Sequence, residues 1–465
     1  MKNIITGTDS YKVGHWNQYV PGTEVVYSYF EARTGAKFSY TVFFGLQYLL
    51  MEYLEGQVVT RCKIEQAAEL FEKHFGNPNM FNRAMWEHIL NEHGGCLPVR
   101  IKAVPEGTPV PNSNVLMVVE NTDPACYPLT NHLETLLSHV WYPSTVATLS
   151  RKVKELQKRF LVETASTMDG LPFMLHDFGF RGTSSTESAG IGGAGHLVNY
   201  MGTDTVKAIE TAMEYYEADV CAFSVPATEH SVMTAMGPEG EVEIVERLLK
   251  EYPTGILSVV ADSYNIYDFC EFIVGYKFRD QILERDGKFV IRPDSGDPVA
   301  TVLKMLDVLS HKFECRANEK GYFVLPDQIR ILWGDGLDYD KIYDILLAAK
   351  EAGWSAENFA TFGMGGGLLQ KVNRDTQRFA FKCCAMKRNG EWHDIYKEPL
   401  DKTKVSKKGR LALQKPVGAH GNGFETVREE LVTDDECDWL VPVFENGKIL
   451  KKYTFDDVRK RAEVI

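Results

Sequence analysis

Four short apolar segments in the central part of the chain each end in residues suited to binding an anion. The residues that follow them are, in chain order, Asp262; Arg292 and Asp294; Gly334 and Asp335; and Gly363, Gly365, Gly366 and Gly367. Arginine pairs with phosphate oxygens, and glycine turns bring backbone N–H groups close to them. One such segment end is equally well explained by a helix cap or a tight turn, but four in succession predict a site for a phosphate ester.

The segments between these residues predict how they are positioned. Short, continuous apolar runs are typical of parallel strands buried on both faces. Asp297-Pro298 and Asp338 are suited to begin the intervening helices, and Gly353 to end one of them. The strand ends recur about every 30 to 40 residues, as in βα units. We therefore predict an α/β fold, with a closed barrel preferred to a doubly wound sheet. In both, ligands bind at the carboxyl ends of the strands.

The two ends of the chain have a different pattern. Alternating apolar and polar residues near the N-terminus predict antiparallel strands. Asn389-Gly390 and Asn446-Gly447 predict tight hairpin turns towards the C-terminus. We therefore predict a β-rich domain formed by residues 1–128 and 377–465, beside a barrel domain at 129–376.

Three further segments contain candidate site residues. Phe178 can stack on a flat ring and Arg181 can contact phosphate, although a core phenylalanine is the more common role. Asp204 precedes a helical pattern and is by default a helix N-cap. Glu229 and His230 follow an apolar strand end, which makes the histidine a candidate for acid–base chemistry.

One glycine motif is a poor candidate for nucleotide binding. Residues 190–195 fit GxGxxG, but the segment before them is polar and no ribose-binding acid follows at the right distance. We predict that these glycines allow close helix packing. The chain has no GxxxxGK[ST] phosphate-binding loop.

Composition excludes several classes of protein. The chain has 44% hydrophobic residues, and its net charge of −13 argues against nucleic-acid binding. No apolar run is long enough to predict a membrane helix. The chain has nine cysteines, which predict reduced thiols in the cytoplasm. It has neither a CxxC pair nor an HExxH motif, so we predict no metal site built from side chains. Residues 371–410 carry twelve basic and five acidic residues, which indicates either a polyanion-binding surface or a solvated one.

Together these segments resemble the nicotinamide phosphoribosyltransferase family of type II phosphoribosyltransferases. The resemblance runs nearly from end to end of the chain. It rests on segments that include Thr8–Lys12, Lys102–Gly107, His176–Gly182, Gly202–Val206, Glu229–Ser231, Ile291–Gly296, Gly334–Gly336, Gly365–Lys371 and Ser406–Arg410. It implies an α/β barrel with a β-rich domain from both chain ends, and a homodimer whose active sites are shared between subunits.

The resemblance also implies a role for individual residues. Phe178 and Tyr11 of the partner subunit would enclose a pyridine ring, with Asp204 accepting from the carboxamide and Arg292 nearby. The phosphoribosyl and diphosphate groups would meet Arg181, Asp294, Gly334, Asp335, Gly365 and Gly366, together with the partner subunit's Arg374 and the partner subunit's Lys382. Mg²⁺ would be held mainly through substrate phosphates.

The implied reaction joins nicotinamide to phosphoribosyl pyrophosphate, giving nicotinamide mononucleotide and pyrophosphate in NAD salvage. ATP would phosphorylate His230, supported by Glu229 and Asp262. One alternative is a nicotinate-specific enzyme, against which the carboxylate of Asp204 argues because it would repel a carboxylate substrate. Another is a non-catalytic nucleotide-binding or secreted signalling protein, for which His230 would have no use.

Overall fold

The computed structural model describes residues 3–400, 405–415, 423–432 and 438–464. Within them the chain forms two compact units. The first comprises residues 1–148, 212–218 and 373–463, and the second comprises 149–211, 219–372 and 464–465. The compact units divide the chain at positions other than those predicted for the domains. The domain boundaries after residues 128 and 376 stay a prediction.

The second unit is built on a six-stranded parallel sheet. Its strands are β1 (Leu175–Asp177), β2 (Gly202–Thr203), β3 (Gly255–Val260), β4 (Gly287–Arg292), β5 (Ile329–Trp333) and β6 (Phe359–Met364). They lie in the order β2-β1-β6-β5-β4-β3. The segment at 223–227 joins the two edges, since Phe223 pairs with Gly202 on β2 and Ala227 pairs with Ser258 on β3, both in parallel. The predicted α/β class with a parallel sheet is confirmed, and the sheet curls into a half-barrel, which agrees with the predicted preference for a barrel over a doubly wound sheet.

The strands form where the sequence predicts them because their residues are excluded from water. All five residues of β5 are buried, as are the last four of β3. Burial of both faces favours continuous apolar runs over an alternating pattern. Because the strands are parallel, their carboxyl ends lie at one edge of the sheet. The residues that follow the strands can therefore form one site.

Helices alternate with the strands of this unit, and their ends follow local rules. The Asp297 side chain accepts a hydrogen bond from the Ala300 N–H at 2.8 Å, and Asp338 accepts from the Lys341 N–H at 3.0 Å. Both predicted N-caps are confirmed, and Gly353 has a φ of 85° just beyond the second helix. The helices are Thr186–Leu197, the first part of Val206–Tyr216, His230–Met233, Glu241–Glu251, Ile266–Asp268, Phe269–Lys277, Arg279–Leu283, Pro298–Lys312, Tyr339–Glu351 and Gly366–Leu369.

The glycines at 190–195 lie inside the helix Thr186–Leu197, all of them buried. A β-carbon on Gly193 would come within 2.6 Å of the Ala208 β-carbon on the following helix. The motif therefore serves close helix packing, as predicted.

The first unit contains a seven-stranded antiparallel sheet that joins both ends of the chain. Thr23–Ala32 is an inner strand that pairs with Phe379–Arg388 on one side and Val115–Asn121 on the other. Val99–Ala103 then pairs with Val441–Glu445, and Glu391–Asp394 and Lys448–Ile449 complete the edges. Asn389 and Gly390 have φ of 48° and 82°, and Asn446 and Gly447 have 49° and 80°, as the predicted hairpin turns require.

The helices of the first unit include two that lie near its N-terminal strand in the sequence, Arg61–Phe75 and Arg83–Glu92. The others are Ser10–Val13, Leu46–Leu49, Leu50–Leu54, Leu129–His132, Glu134–Leu137 and Phe455–Arg461. The helices Trp141–Thr164 and Val206–Tyr216 each have residues in both units. In the described ranges, no helix combines the length and the apolar character that a bilayer crossing needs.

Candidate active site

A cavity of about 950 Å³ lies at the carboxyl ends of the parallel strands. It brings together eleven of the residues that the sequence singled out. These are Phe178, Arg181, Asp204, Glu229, His230, Arg292, Asp294, Gly334, Asp335, Gly365 and Gly366. All eleven belong to the second unit, so one chain supplies most of the predicted site.

The ring of Phe178 lies against the backbone of two neighbouring strands. A β-carbon on Gly363 would come within 2.1 Å of the Phe178 Cε2 atom, and one on Gly334 within 3.0 Å. His176 approaches the same ring, with 5.3 Å between the ring centroids. The glycines thus give the ring its place at the wall of the cavity, where one face of a flat ligand can be covered.

Asp204 is not the N-cap that its position suggests. Its Oδ1 atom lies 2.9 Å from the His176 Nε2 atom and accepts a hydrogen bond from the Ser224 hydroxyl at 2.6 Å. Burial raises the pKa of this carboxyl, but the hydrogen bond with His176, together with the one from Ser224, outweighs it and leaves the pKa below its ordinary value. Asp204 therefore presents an ionised acceptor to the cavity.

Arg292 and Asp294 form the next part of the wall. The Arg292 guanidinium donates to the Thr228 carbonyl at 3.1 Å, and its Nε lies 3.9 Å from the Asp294 Oδ1 atom. Burial raises the pKa of Asp294; Arg292 partly offsets this, while the nearby carboxylates of Asp262 and Asp335 raise it further. Negative charge is therefore concentrated around Asp294, and a bound cation would reduce the repulsion between these carboxylates.

His230 is held by a carboxylate from the end of β3. Its Nε2 atom lies 2.9 Å from Asp262 Oδ1, while the second oxygen of Asp262 accepts from the Ser295 hydroxyl. The His230 side chain is 47% exposed and that of Asp262 only 8%. Burial acts to raise the pKa of Asp262, but the hydrogen bonds from Ser295 and His230 lower it below its ordinary value. Glu229 instead accepts from the Ser231 hydroxyl.

The turns after β5 and β6 place backbone groups at the cavity. The Trp333 indole donates to the Asp335 carbonyl at 2.8 Å, and Lys341 donates to the Gly336 carbonyl at 2.8 Å, which fixes the first turn. After β6, Gly366 begins a short helix and the Lys371 N–H donates to its carbonyl at 2.7 Å. Backbone donors and small residues of this kind are suited to phosphate.

Sequence reasoning missed several members of the site. Lys371 and Ser231 line the cavity, Ser224 donates to Asp204, and Ser295 donates to Asp262, the partner of His230. Lys371 lies at the start of the basic stretch at 371–410, which is the signal that points to it. The serines have no distinguishing signal, since hydroxyls are common at turns.

Three predicted site residues belong to the first unit: Tyr11, Arg374 and Lys382. The Tyr11 side chain is exposed, and Arg374 is exposed with a carboxylate of Asp375 3.5 Å away. Lys382 is more enclosed: burial lowers its pKa, and its ammonium donates to the Phe381 carbonyl at 2.7 Å.

Comparisons with known proteins agree on one family. The profile of the nicotinate phosphoribosyltransferase (NAPRTase) family matches residues 173–445, and that of the nicotinamide phosphoribosyltransferase N-terminal domain matches residues 3–101. A nicotinamide phosphoribosyltransferase of Xanthomonas campestris is 45% identical, covering 100% of this chain and 98% of that protein. One of Acinetobacter baylyi is 33% identical, with coverage of 99% and 97%.

Two solved structures share the fold. The nicotinate-nucleotide pyrophosphorylase of Pyrococcus furiosus superposes with a TM-score of 0.61 at 16% identity, covering 99% of this chain and 96% of that one. Human nicotinic acid phosphoribosyltransferase gives a TM-score of 0.59 at 13% identity, with coverage of 98% and 92%. At these identities the likeness concerns the fold alone.

Proposed function

The chain belongs to the nicotinamide phosphoribosyltransferases, within the nicotinate phosphoribosyltransferase family of pentosyltransferases, and from this premise we propose that its cavity joins nicotinamide to phosphoribosyl pyrophosphate. The observation that carries the proposal is the arrangement of the cavity. An aromatic ring and an ionised carboxylate lie in the same cavity as an arginine, a lysine and glycine turns. The aromatic ring and the carboxylate suit a ring that bears a carboxamide. The arginine, the lysine and the glycine turns suit a sugar with several phosphates.

The chemistry requires charge separation at the sugar. The pyridine nitrogen uses its lone pair to form a bond with the anomeric carbon, while the bond from that carbon to the pyrophosphate oxygen breaks. The pyrophosphate leaves with the bonding electrons, and the pyridine becomes cationic. Arg181 and Lys371 line the cavity and would stabilise the developing negative charge.

Magnesium fits the donor set of this cavity. Asp294 and Asp335 line it, and the raised pKa of Asp294 reflects burial together with the neighbouring carboxylates. Hard oxygen ligands are those that Mg²⁺ prefers, and it is commonly bound through one or two carboxylates plus substrate phosphates. When bound, it would neutralise the diphosphate; Asp294 and Asp335 would hold it beside the phosphates.

Asp204 would make the cavity specific for the amide. An ionised carboxylate accepts from the carboxamide N–H of nicotinamide and repels the carboxylate of nicotinate. Its bonds to His176 and Ser224 would keep it ionised and directed. The alternative, a nicotinate phosphoribosyltransferase, would need a donor at this position.

ATP coupling through His230 is part of the proposal. Asp262 accepts from Nε2, so the lone pair of the neutral imidazole is on Nδ1. Nδ1 would attack the γ-phosphorus of ATP, forming an N–P bond as the bond to the bridging oxygen breaks and ADP leaves. The proton stays on Nε2, where Asp262 balances the cationic phosphohistidine. This phosphohistidine would favour product formation in NAD salvage.

We further propose a homodimer in which the partner subunit's Tyr11, the partner subunit's Arg374 and the partner subunit's Lys382 complete each site. Supporting this, the side chains of Tyr11 and Arg374 are exposed and so are accessible to a second chain. The cytoplasmic location stays a prediction from the sequence.

Product detection tests the proposed function. The enzyme is incubated with phosphoribosyl pyrophosphate, Mg²⁺ and either nicotinamide or nicotinate, with and without ATP. We expect nicotinamide mononucleotide and pyrophosphate, with ATP increasing the yield. Preferred formation of nicotinate mononucleotide would support the nicotinate-specific alternative, and no product with either base would support a non-catalytic role.

A further inference from the structure

Outside the cavity, four side chains with metal-binding atoms meet in the first unit. The Nε2 atoms of His88 and His93 lie 2.8 Å and 2.7 Å from the same oxygen, Oδ2 of Asp123. The Cys126 thiol lies close by: one ligand atom each from His88, Asp123 and Cys126 lie within 4.8 Å of one another. Nothing in the proposed reaction uses these residues.

The backbone fixes these groups before any ligand arrives. His88 lies on the helix Arg83–Glu92, and His93 is its C-cap, with its N–H bonded to the Ile89 carbonyl. Asp123 begins the short helical turn Pro124–Cys126, where its Oδ1 accepts from the Ala125 N–H at 2.8 Å. That cap leaves Oδ2 directed at the two imidazoles.

Asn121 supports the same turn from the end of the strand Val115–Asn121. Its side-chain amide donates to the Asp123 carbonyl at 2.8 Å and to the Glu24 carbonyl at 2.9 Å. The Cys126 N–H donates to the Asp123 carbonyl at 2.9 Å. The carboxylate and the thiol therefore come from one rigid turn and the imidazoles from one helix end.

Donor chemistry and access both suit a borderline divalent cation. Two imidazole nitrogens, a carboxylate oxygen and a thiolate are the ligand types of tetrahedral Zn²⁺ sites, at about 2.0–2.3 Å from the metal. The side chains of His88, His93 and Asp123 are 34%, 26% and 21% exposed, so an ion can enter, while Cys126 is buried behind them.

We propose that His88, Asp123 and Cys126 form a Zn²⁺-binding site, with His93 moving in from its contact with Asp123 to become the fourth ligand. The site ties the helix Arg83–Glu92 to the turn after the strand Val115–Asn121. On binding, the Cys126 thiol loses its proton to solvent. Each neutral imidazole exchanges protons with solvent, losing the one on Nε2 that it donates to Asp123 and gaining one on Nδ1, so that the Nε2 lone pair can bind the metal. Once His93 has joined, the four protein ligands leave no open position, so the role of the site is structural. It stands independently of the proposed phosphoribosyl transfer.

Cobalt provides the test because a thiolate bound to Co²⁺ gives a charge-transfer band in the near ultraviolet. The full chain is stripped with chelator and titrated with Co²⁺ and then Zn²⁺, with excess Mg²⁺ throughout to occupy the carboxylates of the cavity. We expect about one Co²⁺ per chain with this band, displaced by Zn²⁺. Failure of the wild-type chain to take up either ion saturably would overturn the proposal.

Variants identify the ligands. Cys126→Ser should abolish the band, whereas Cys270→Ser, at another buried cysteine, should retain it. His88→Asn and His93→Asn, at partly exposed positions, should each weaken Zn²⁺ binding at least about tenfold. A given concentration of Zn²⁺ should raise the Tm of the wild type more than that of Cys126→Ser or His88→Asn. A band that persists in Cys126→Ser, or wild-type affinity in both histidine variants, would place the metal elsewhere and refute the site.

Discussion

The ring of Phe178 occupies space that any side chain on Gly363 would need, since a β-carbon there would lie 2.1 Å from the Phe178 Cε2 atom. Gly363 lies on β6 and Phe178 follows β1, and these two strands are neighbours in the sheet. The absence of a side chain on one strand thus sets the position of a ring on the next.

Gly363→Ala is therefore expected to displace the ring and weaken use of nicotinamide. A shift of about 1 Å can cost about a hundredfold in rate, so kcat/KM for nicotinamide should fall by about that factor while the KM for phosphoribosyl pyrophosphate changes little. Steady-state kinetics measures both. Gly170→Ala is the matched control, because a β-carbon there meets nothing within 4 Å. A variant with unchanged nicotinamide kinetics would show that the ring does not contact the substrate.

Replacing the acceptor of the cavity should change the preferred base. In Asp204→Asn one oxygen can still accept from His176 and Ser224, so the local bonds persist while the charge is lost. The ratio of kcat/KM for nicotinamide over nicotinate should fall about ten- to a hundredfold, as expected for a hydrogen bond to a charged group. Competition between the two bases measures this ratio. An unchanged ratio would contradict the role of Asp204.

His230→Ala should abolish ATP stimulation and leave basal transfer. Incubation with γ-labelled ATP should give acid-labile protein-bound phosphate in the wild type and none in this variant. His311→Ala is the control, since that histidine is exposed and its ring bonds to the carbonyl of Asp307 in its own helix. Asp262→Asn should reduce labelling at least about tenfold, because a neutral partner stabilises the cationic phosphohistidine less. Full labelling of His230→Ala would place the phosphate on another residue.

Asp177 makes stability depend on pH. Burial raises its pKa to about 6, and the hydrogen bond from the Gly179 N–H only partly offsets this. The native state then binds more protons than the unfolded state between about pH 4 and pH 6, so stability falls as pH rises through that window. Above it, the ionised carboxylate costs about 3 kcal/mol. Asp177→Asn should therefore gain Tm relative to the wild type from pH 4 to pH 7, measured by thermal unfolding. Asp169→Asn, at an exposed aspartate, should have the same Tm as the wild type at each pH. A Tm difference between Asp177→Asn and the wild type that does not change with pH would contradict the raised pKa of Asp177.

Mixed dimers can establish whether the sites are shared. Asp335→Ala and Arg374→Ala chains carry different tags, and heterodimers are purified on both. If Arg374 of the partner subunit completes each site, one of the two sites in the heterodimer is intact, and about half of the wild-type activity should return although each homodimer is inactive. A heterodimer as inactive as its parents would mean that Arg374 acts within its own chain.

Local patterns in the sequence determined much of this molecule. The parallel strands, the N-caps at Asp297 and Asp338 and the hairpin turns at Asn389 and Asn446 depend on burial periodicity and on hydrogen bonds between near neighbours. The residues after the strands could be assigned to one site for the same reason, since parallel strands end at one edge of their sheet.

The tertiary structure alone decided contacts between residues distant in sequence. Asp204 is an acceptor directed by His176 and Ser224 and not a helix cap, the segment at 223–227 closes the sheet, and His88 meets Cys126. Such contacts depend on how whole elements pack, and periodicity along the chain does not encode which distant side chains that packing brings together.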